Sequence, residues 1–239
     1  MDLSGFKDIH LGKRAFLLAC GPSLNDLDLS LLEGELVYGV SLAYKSDKVA
    51  IDYHFMGDKN IASQFYKEIL PLTNTWFVSK SIYDFYLKNK PNTYYFTGPA
   101  RHKKKFKTDL SDGKVYGGGT SSFLAMQFAY FMGIQELYTI GLDHWKTYRK
   151  GLNVTDTGIK NPSGSPLVIS NEDDIHHFTP DFYKKGVKFY TPTFSKVEAS
   201  YWAARNAYEA DGRILLNASA DTALSEDIIP RVNFYELFD

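Results

Sequence analysis

Short apolar runs and helix-length stretches alternate from one end of the chain to the other. The run Ala15-Phe16-Leu17-Leu18-Ala19-Cys20 has no polar interruption, as a strand buried on both faces should not. It ends in Gly21-Pro22-Ser23. Similar runs predict strands at 36–40, 51–56, 75–78, 93–96, 137–141 and 213–217. Between them the pattern predicts helices over 60–70, 80–88, 120–132 and 194–211. Such an alternation predicts βαβ units, hence an α/β, Rossmann-like fold whose mainly parallel sheet carries helices on both faces. The 120–132 helix is the clearest. Gly117-Gly118-Gly119-Thr120-Ser121-Ser122 opens it, and Thr120 or Ser121 can cap it. Phe123, Leu124, Met126, Phe128, Ala129, Phe131 and Met132 leave almost no polar face, so burial is expected. Gly133 is placed to end it.

The rhythm breaks between about residues 144 and 190, which are polar and rich in Gly, Pro, Asn and Asp. Irregular segments of that length are uncommon in compact domains unless they form lids or binding insertions. The expected organisation is a nucleotide-binding domain made of residues 1–143 and 191–239, with 144–190 as a small lid on the sheet's carboxyl edge.

Composition narrows the function classes. The 239 residues carry a net charge of −1, with 44% apolar and 23% charged residues. That balance argues against a nucleic-acid binder that works by bulk positive charge. A single cysteine, Cys20, excludes a disulfide framework and a thiolate zinc site, and reads as a small core residue. No signal peptide or stretch of about 18 apolar residues is evident, so the expected location is the cytoplasm. Aromatic residues reach 15%, which suits either stacking surfaces or a plain core.

Five groups could carry chemistry. Gly21-Pro22-Ser23, after the first strand, offers N–H groups at a helix start that suit a phosphate, although it is neither a Walker loop nor a dinucleotide turn. Gly117 to Ser122, including Gly118, Gly119, Thr120 and Ser121, forms a second anion-friendly turn. In the insertion, Asp174-Ile175-His176-His177-Phe178 offers a histidine as general base; neighbours in sequence point different ways, so one of the two is expected to enter a site. Asp58 and Asp143, at strand ends, could hold Mg²⁺ or a ribose. Arg101-His102-Lys103-Lys104-Lys105-Phe106-Lys107 could meet an anionic acceptor or a membrane surface, or stand as a solvated loop.

Taken together, several segments resemble a known superfamily. The stretch from Phe16 to Leu24 resembles the Gly-Asn-Gly-Pro-Ser-Leu strand-turn of two related groups. The likeness continues through Gly118-Gly119-Thr120-Ser121, through 132–143, through 170–183 and through 207–218. One group is the family typified by the archaeal 6-hydroxymethylpterin diphosphokinase, which includes motility-associated flagellin glycosylation factors. The other is the bacterial sialyltransferases of the Campylobacter type. The sialyltransferase resemblance implies a Rossmann-like domain with a lid over a CMP-sugar. It places Gly21, Pro22 and Ser23 beside the nucleotide, Ser41 and Asp58 near the cytidine, and Thr120 and Ser121 on the donor. It also puts Trp145, with Tyr148 as a substitute, near the phosphate, and makes His177 the base, or else His176. The chain departs from that pattern at Cys20 and Ser41, which stand for Asn, and at Trp145, which stands for Tyr.

The resemblance implies a transferase. It would move a sugar, most plausibly a CMP-linked nonulosonic acid, from a nucleotide donor to a glycan or protein hydroxyl. That chemistry requires no cofactor. The alternative is transfer of a diphosphate from ATP to a hydroxymethylpterin-like alcohol, with Mg²⁺ on Asp58 and Asp143. A non-catalytic nucleotide- or glycan-binding module is the third reading. Homo-oligomerisation and peripheral membrane contact belong to the same set of expectations.

Overall fold

The computed structural model describes residues 1–98, 105–144, 152–161 and 164–239. Its main sheet contains β1 (Arg14–Leu18), β2 (Leu36–Val40), β3 (Tyr53–Met56), β4 (Thr75–Ser79), β5 (Thr93–Phe96) and β6 (Glu136–Ile140). A seventh strand (Ile214–Asn217) completes it. In chain order that strand is β10, since β7 (Val154–Lys160), β8 (Pro166–Ser170) and β9 (Lys188–Tyr190) precede it in a separate antiparallel sheet. The helices are α1 (Lys59–Ile69), α2 (Lys80–Ile82, continued by a π-turn over Tyr83–Leu87), α3 (Ser121–Phe131) and α4 (Phe194–Ala210). Every strand and helix expected above, apart from a helix after Ser23, is present within one or two residues of its predicted ends.

All seven strands of the main sheet run parallel, in the order β10-β6-β1-β2-β3-β4-β5. The chain leaves β1 for β2 on one side and later returns to lay β6 on the other. The carboxyl ends of β1 and β6 therefore flank a topological switch point, where ligands of open α/β sheets usually sit. Burial explains the composition of these strands. Phe16, Leu17 and Leu18 are wholly buried, as are Phe55, Phe77 and Ile140, because helices cover both faces.

The aromatic excess goes into this core. Tyr38, Phe55, Phe77 and Tyr94 stack in sequence across β2, β3, β4 and β5, with centroids 5.7, 5.3 and 5.6 Å apart. Phe128 of α3 lies on Phe55 and Phe77 at 5.1 and 4.5 Å. This contact pins the apolar α3 to the sheet, so the Gly-rich turn before it stands at the carboxyl edge. Gly133 adopts φ 88° after the helix, the left-handed stop expected of a glycine there.

One expectation fails locally. The residues after β1 form no α-helix. They make a five-residue 3₁₀ turn, Pro22–Asp26, followed by another over Leu29–Leu32. Gly21 occupies the capping position and Ser23 does not, so no long helix dipole points at this turn.

Candidate functional site

The turn after β1 is tied to the end of β6. Gly21 donates its N–H to the Gly141 carbonyl at 2.8 Å. Ser23 donates its N–H to Asp143 Oδ2 at 2.8 Å and its hydroxyl to Asp143 Oδ1. A side chain at position 21 would place its Cβ 2.3 Å from the Asp143 carboxyl carbon, so glycine is required by the approach of that carboxylate. The donors expected to bind a phosphate are thus occupied by an internal anion. Burial pushes the Asp143 carboxyl up to about 6, against the pull of the two Ser23 hydrogen bonds.

The second turn has a different neighbourhood. Thr120 caps α3, accepting the Ser122 N–H at 3.2 Å. Gly118 lies so close to Phe123 that a Cβ would come within 2.3 Å of the ring, and Gly119 has φ 81°. Tyr201 of α4 is buried, and burial pushes its phenol up to about 12. Ser121, one residue into the helix, reaches the ends of β2 and β3. Its hydroxyl oxygen accepts from the Ser41 hydroxyl and from the Gly57 N–H, each at 3.4 Å. Ser41 sits just past β2 with φ 51°, a left-handed conformation uncommon for serine. Asp58, next to Gly57, caps α1 through the Asn60 N–H at 2.8 Å, and burial raises its pKa.

The two histidines of the insertion meet one buried carboxylate. Asp174 Oδ1 accepts the His176 N–H at 2.6 Å, and Oδ2 lies 2.5 Å from His177 Nδ1. The Asp174 side chain is wholly buried and that of His177 is 8% exposed. The His177 ring stacks on Phe182 at 3.7 Å and meets Tyr183 edge-on at 5.0 Å. Nδ1–H donation to a carboxylate leaves the basic lone pair of a neutral imidazole on Nε2 and fixes the plane of the ring, as an oriented general base needs. His176 is half-buried, and its pKa is lowered chiefly by burial.

The next residue moors this segment to the sheet edge. Phe178 donates its N–H to the Cys20 carbonyl at 3.0 Å, and Asn25 Nδ2 donates to the Phe178 carbonyl at 2.9 Å. Cys20 in turn donates its thiol to the Val40 carbonyl at 3.2 Å. Burial pushes that thiol up to about 12, so it is not a nucleophile at neutral pH. A continuous set of contacts therefore runs along the carboxyl edge, from His177 and Phe178 through Cys20 and Ser41 to Ser121 and Gly57.

The structure thus brings His177, Cys20, Ser41, Thr120, Ser121 and Asp58 to one edge. It turns Ser23 and Asp143 toward each other. Asp58 and Asp143 follow β3 and β6, three strand positions apart, or roughly 14 Å at the usual inter-strand spacing. They do not fit as ligands of one Mg²⁺ ion. Among the described residues no cluster of three or more His, Cys, Asp or Glu side chains has a metal-binding arrangement.

Trp145 and Tyr148 lie outside the described residues, as do Arg101 to Lys104 of the basic run. The described end of that run is anchored. Phe106 packs on Phe123, Tyr130 and Tyr208, and Lys107 pairs with Asp112.

The chain's apolar and polar pattern assigns Asp174 no role. Its place three residues before His177, within reach across one turn, was the available signal. His144 is a second residue that the pattern does not single out: it follows Asp143 with φ 50°, and its Nε2 lies 3.0 Å from Glu198 of α4. No helix among the described residues is long and apolar enough to cross a membrane. No protein-family model, no curated protein and no solved structure matches the chain.

Proposed function

We propose that the chain is a glycosyltransferase that uses a nucleotide-activated sugar, a CMP-linked nonulosonic acid, with His177 as its general base. The observation that carries the reading is the Asp174–His177 pair, moored by Phe178 to Cys20 at the carboxyl edge of β1. Phe178, the residue after the pair, bonds to the Cys20 carbonyl at the end of β1, and Ser41 follows the neighbouring β2. The motif resemblance suggests the substrate class, and the Asp174–His177 contact supports a base with a fixed ring. The acceptor hydroxyl attacks the anomeric carbon as His177 Nε2 takes its proton, and the bond to the nucleotide phosphate breaks. A positioned base contributes on the order of 10²–10⁴ in rate. Because Asp143 fills the Ser23 donors, stabilisation of the departing phosphate falls to the Gly118–Ser121 turn and to donors of the lid.

The diphosphokinase alternative asks Asp58 and Asp143 to share a cation, which their separation across the sheet disfavours. Calorimetric titration with CMP and CTP, against ATP with Mg²⁺, separates the two readings. Metal-independent binding of the cytidine nucleotides is expected. Binding of ATP alone, only with Mg²⁺, would overturn the transferase reading.

A further inference from the structure

His54 lies in the middle of β3 and is wholly buried. Its ring lies tilted by 30° against Trp76, with centroids 4.0 Å apart. Its Nε2 is 2.8 Å from the Ser41 carbonyl. A carbonyl only accepts, so Nε2 carries the hydrogen and Nδ1 is a bare acceptor. Among the described residues Nδ1 has no hydrogen-bond partner. A buried nitrogen left in this state is unfavourable and calls for an explanation. Its neighbour on β2, Gly39, makes room for it: a Cβ there would come within 3.0 Å of Nδ1 and 2.6 Å of Ile51 Cδ1. A leucine or phenylalanine would fill such a core position without an unpaired nitrogen, at the cost of this donor to the Ser41 carbonyl.

What the histidine adds is a grip on Ser41. That residue holds φ 51°, a conformation that serine adopts only when its surroundings impose it. With the backbone so turned, the Ser41 hydroxyl reaches Ser121 at the head of α3. We infer that His54 is a positioning residue for the nucleotide site: its Nε2–H holds the Ser41 carbonyl and keeps the serine hydroxyl aimed at Ser121. This role rests on the proposed nucleotide site for its ligand, whereas the mechanical link between the two residues stands apart from it. The group stays neutral throughout, since burial takes the imidazole down to about 3.

The test is a double-mutant cycle of His54→Leu and Ser41→Gly, read by CMP affinity, by amide exchange at residues 41–43 and by thermal melting. Glycine adopts the left-handed backbone without help. His54→Leu should melt cooperatively within about 5 °C of the wild type. It should exchange faster at 41–43 and bind CMP about tenfold more weakly, the size of one lost hydrogen bond. In the Ser41→Gly background the leucine should cost no further affinity. Losses that simply add, or exchange and affinity both unchanged, would overturn the inference. So would a His54→Leu protein that loses its cooperative fold, since His54 would then be a packing residue. If the wild type binds no CMP, the nucleotide reading fails, while exchange and melting still decide whether His54 governs Ser41.

Discussion

At the scale of single residues, the site is a set of backbone and side-chain donors already matched to acceptors. Ser23 faces Asp143, Ser41 faces Ser121, and His177 faces Asp174. The last pair has a measurable role. Asp174→Asn keeps the shape of the side chain but removes the charge that orients the ring. Turnover should fall on the order of 10²-fold or more, toward the loss seen without a base, while CMP affinity holds. Steady-state kinetics beside calorimetry checks this; equal losses in both would place Asp174 in folding rather than chemistry. In the sequence Asp58 is legible from the apolar run it follows, Ser121 from the Gly-rich start of α3 and His177 from the polar insertion, whereas Ser41 comes from the motif resemblance alone. The sequence does not show that Ser23 is taken by Asp143. That pairing joins positions 120 residues apart and depends on how closely Gly21 lets the carboxylate approach.

At the scale of elements, α3 governs the site because its first turn presents Thr120, Ser121 and Ser122. Thr120→Ala removes the cap and should cost about 1 kcal/mol in denaturant unfolding. It should also weaken CMP binding, as the same residue opens the donor turn. Unchanged affinity would take the α3 turn out of the site. This helix is legible because its residues from Ser122 to Ala129 are all buried, so the sequence shows one nearly unbroken apolar block. The 3₁₀ turns after β1 are not. Leu24 and Leu27, like Leu29 and Leu32, are buried pairs three residues apart, the spacing of a 3₁₀ turn. Five leucines in the nine positions 24–32 still look helical in outline. The insertion poses the opposite problem: β7 is mostly exposed or half-buried, so its polar residues conceal a strand.

At the scale of the whole molecule, a parallel sheet collects all of these strand ends on one edge, and the insertion meets it where Phe178 bonds to Cys20. Ionisation of two buried groups should be visible in global stability. His54 has an ordinary value of 6.5 in the unfolded chain and about 3 in the folded one. Between those values the unfolded chain binds the proton and the folded chain does not, so this group lowers stability as pH falls from 6.5 toward 3. Asp143 acts in the other sense. Its value rises from 3.8 to about 6 on folding, so its contribution is greatest in acid and is lost as pH rises through that window. Unfolding in urea across pH should therefore show His54→Leu gaining on the wild type below pH 6.5. Asp143→Asn should gain on it as pH rises from 3.8 to 6. Parallel pH curves for wild type and variants would contradict both assignments.

The central claim is that His177 takes the proton of an acceptor while the sheet edge holds a cytidine nucleotide. The most direct measurement is turnover of a CMP-linked nonulosonic acid by wild type and by His177→Ala, with CMP affinity measured on the same preparations. The variant should bind CMP within about threefold of the wild type and lose at least 10²-fold in turnover. Wild-type turnover in the variant, or a wild-type protein that neither binds CMP nor consumes the donor, would contradict it.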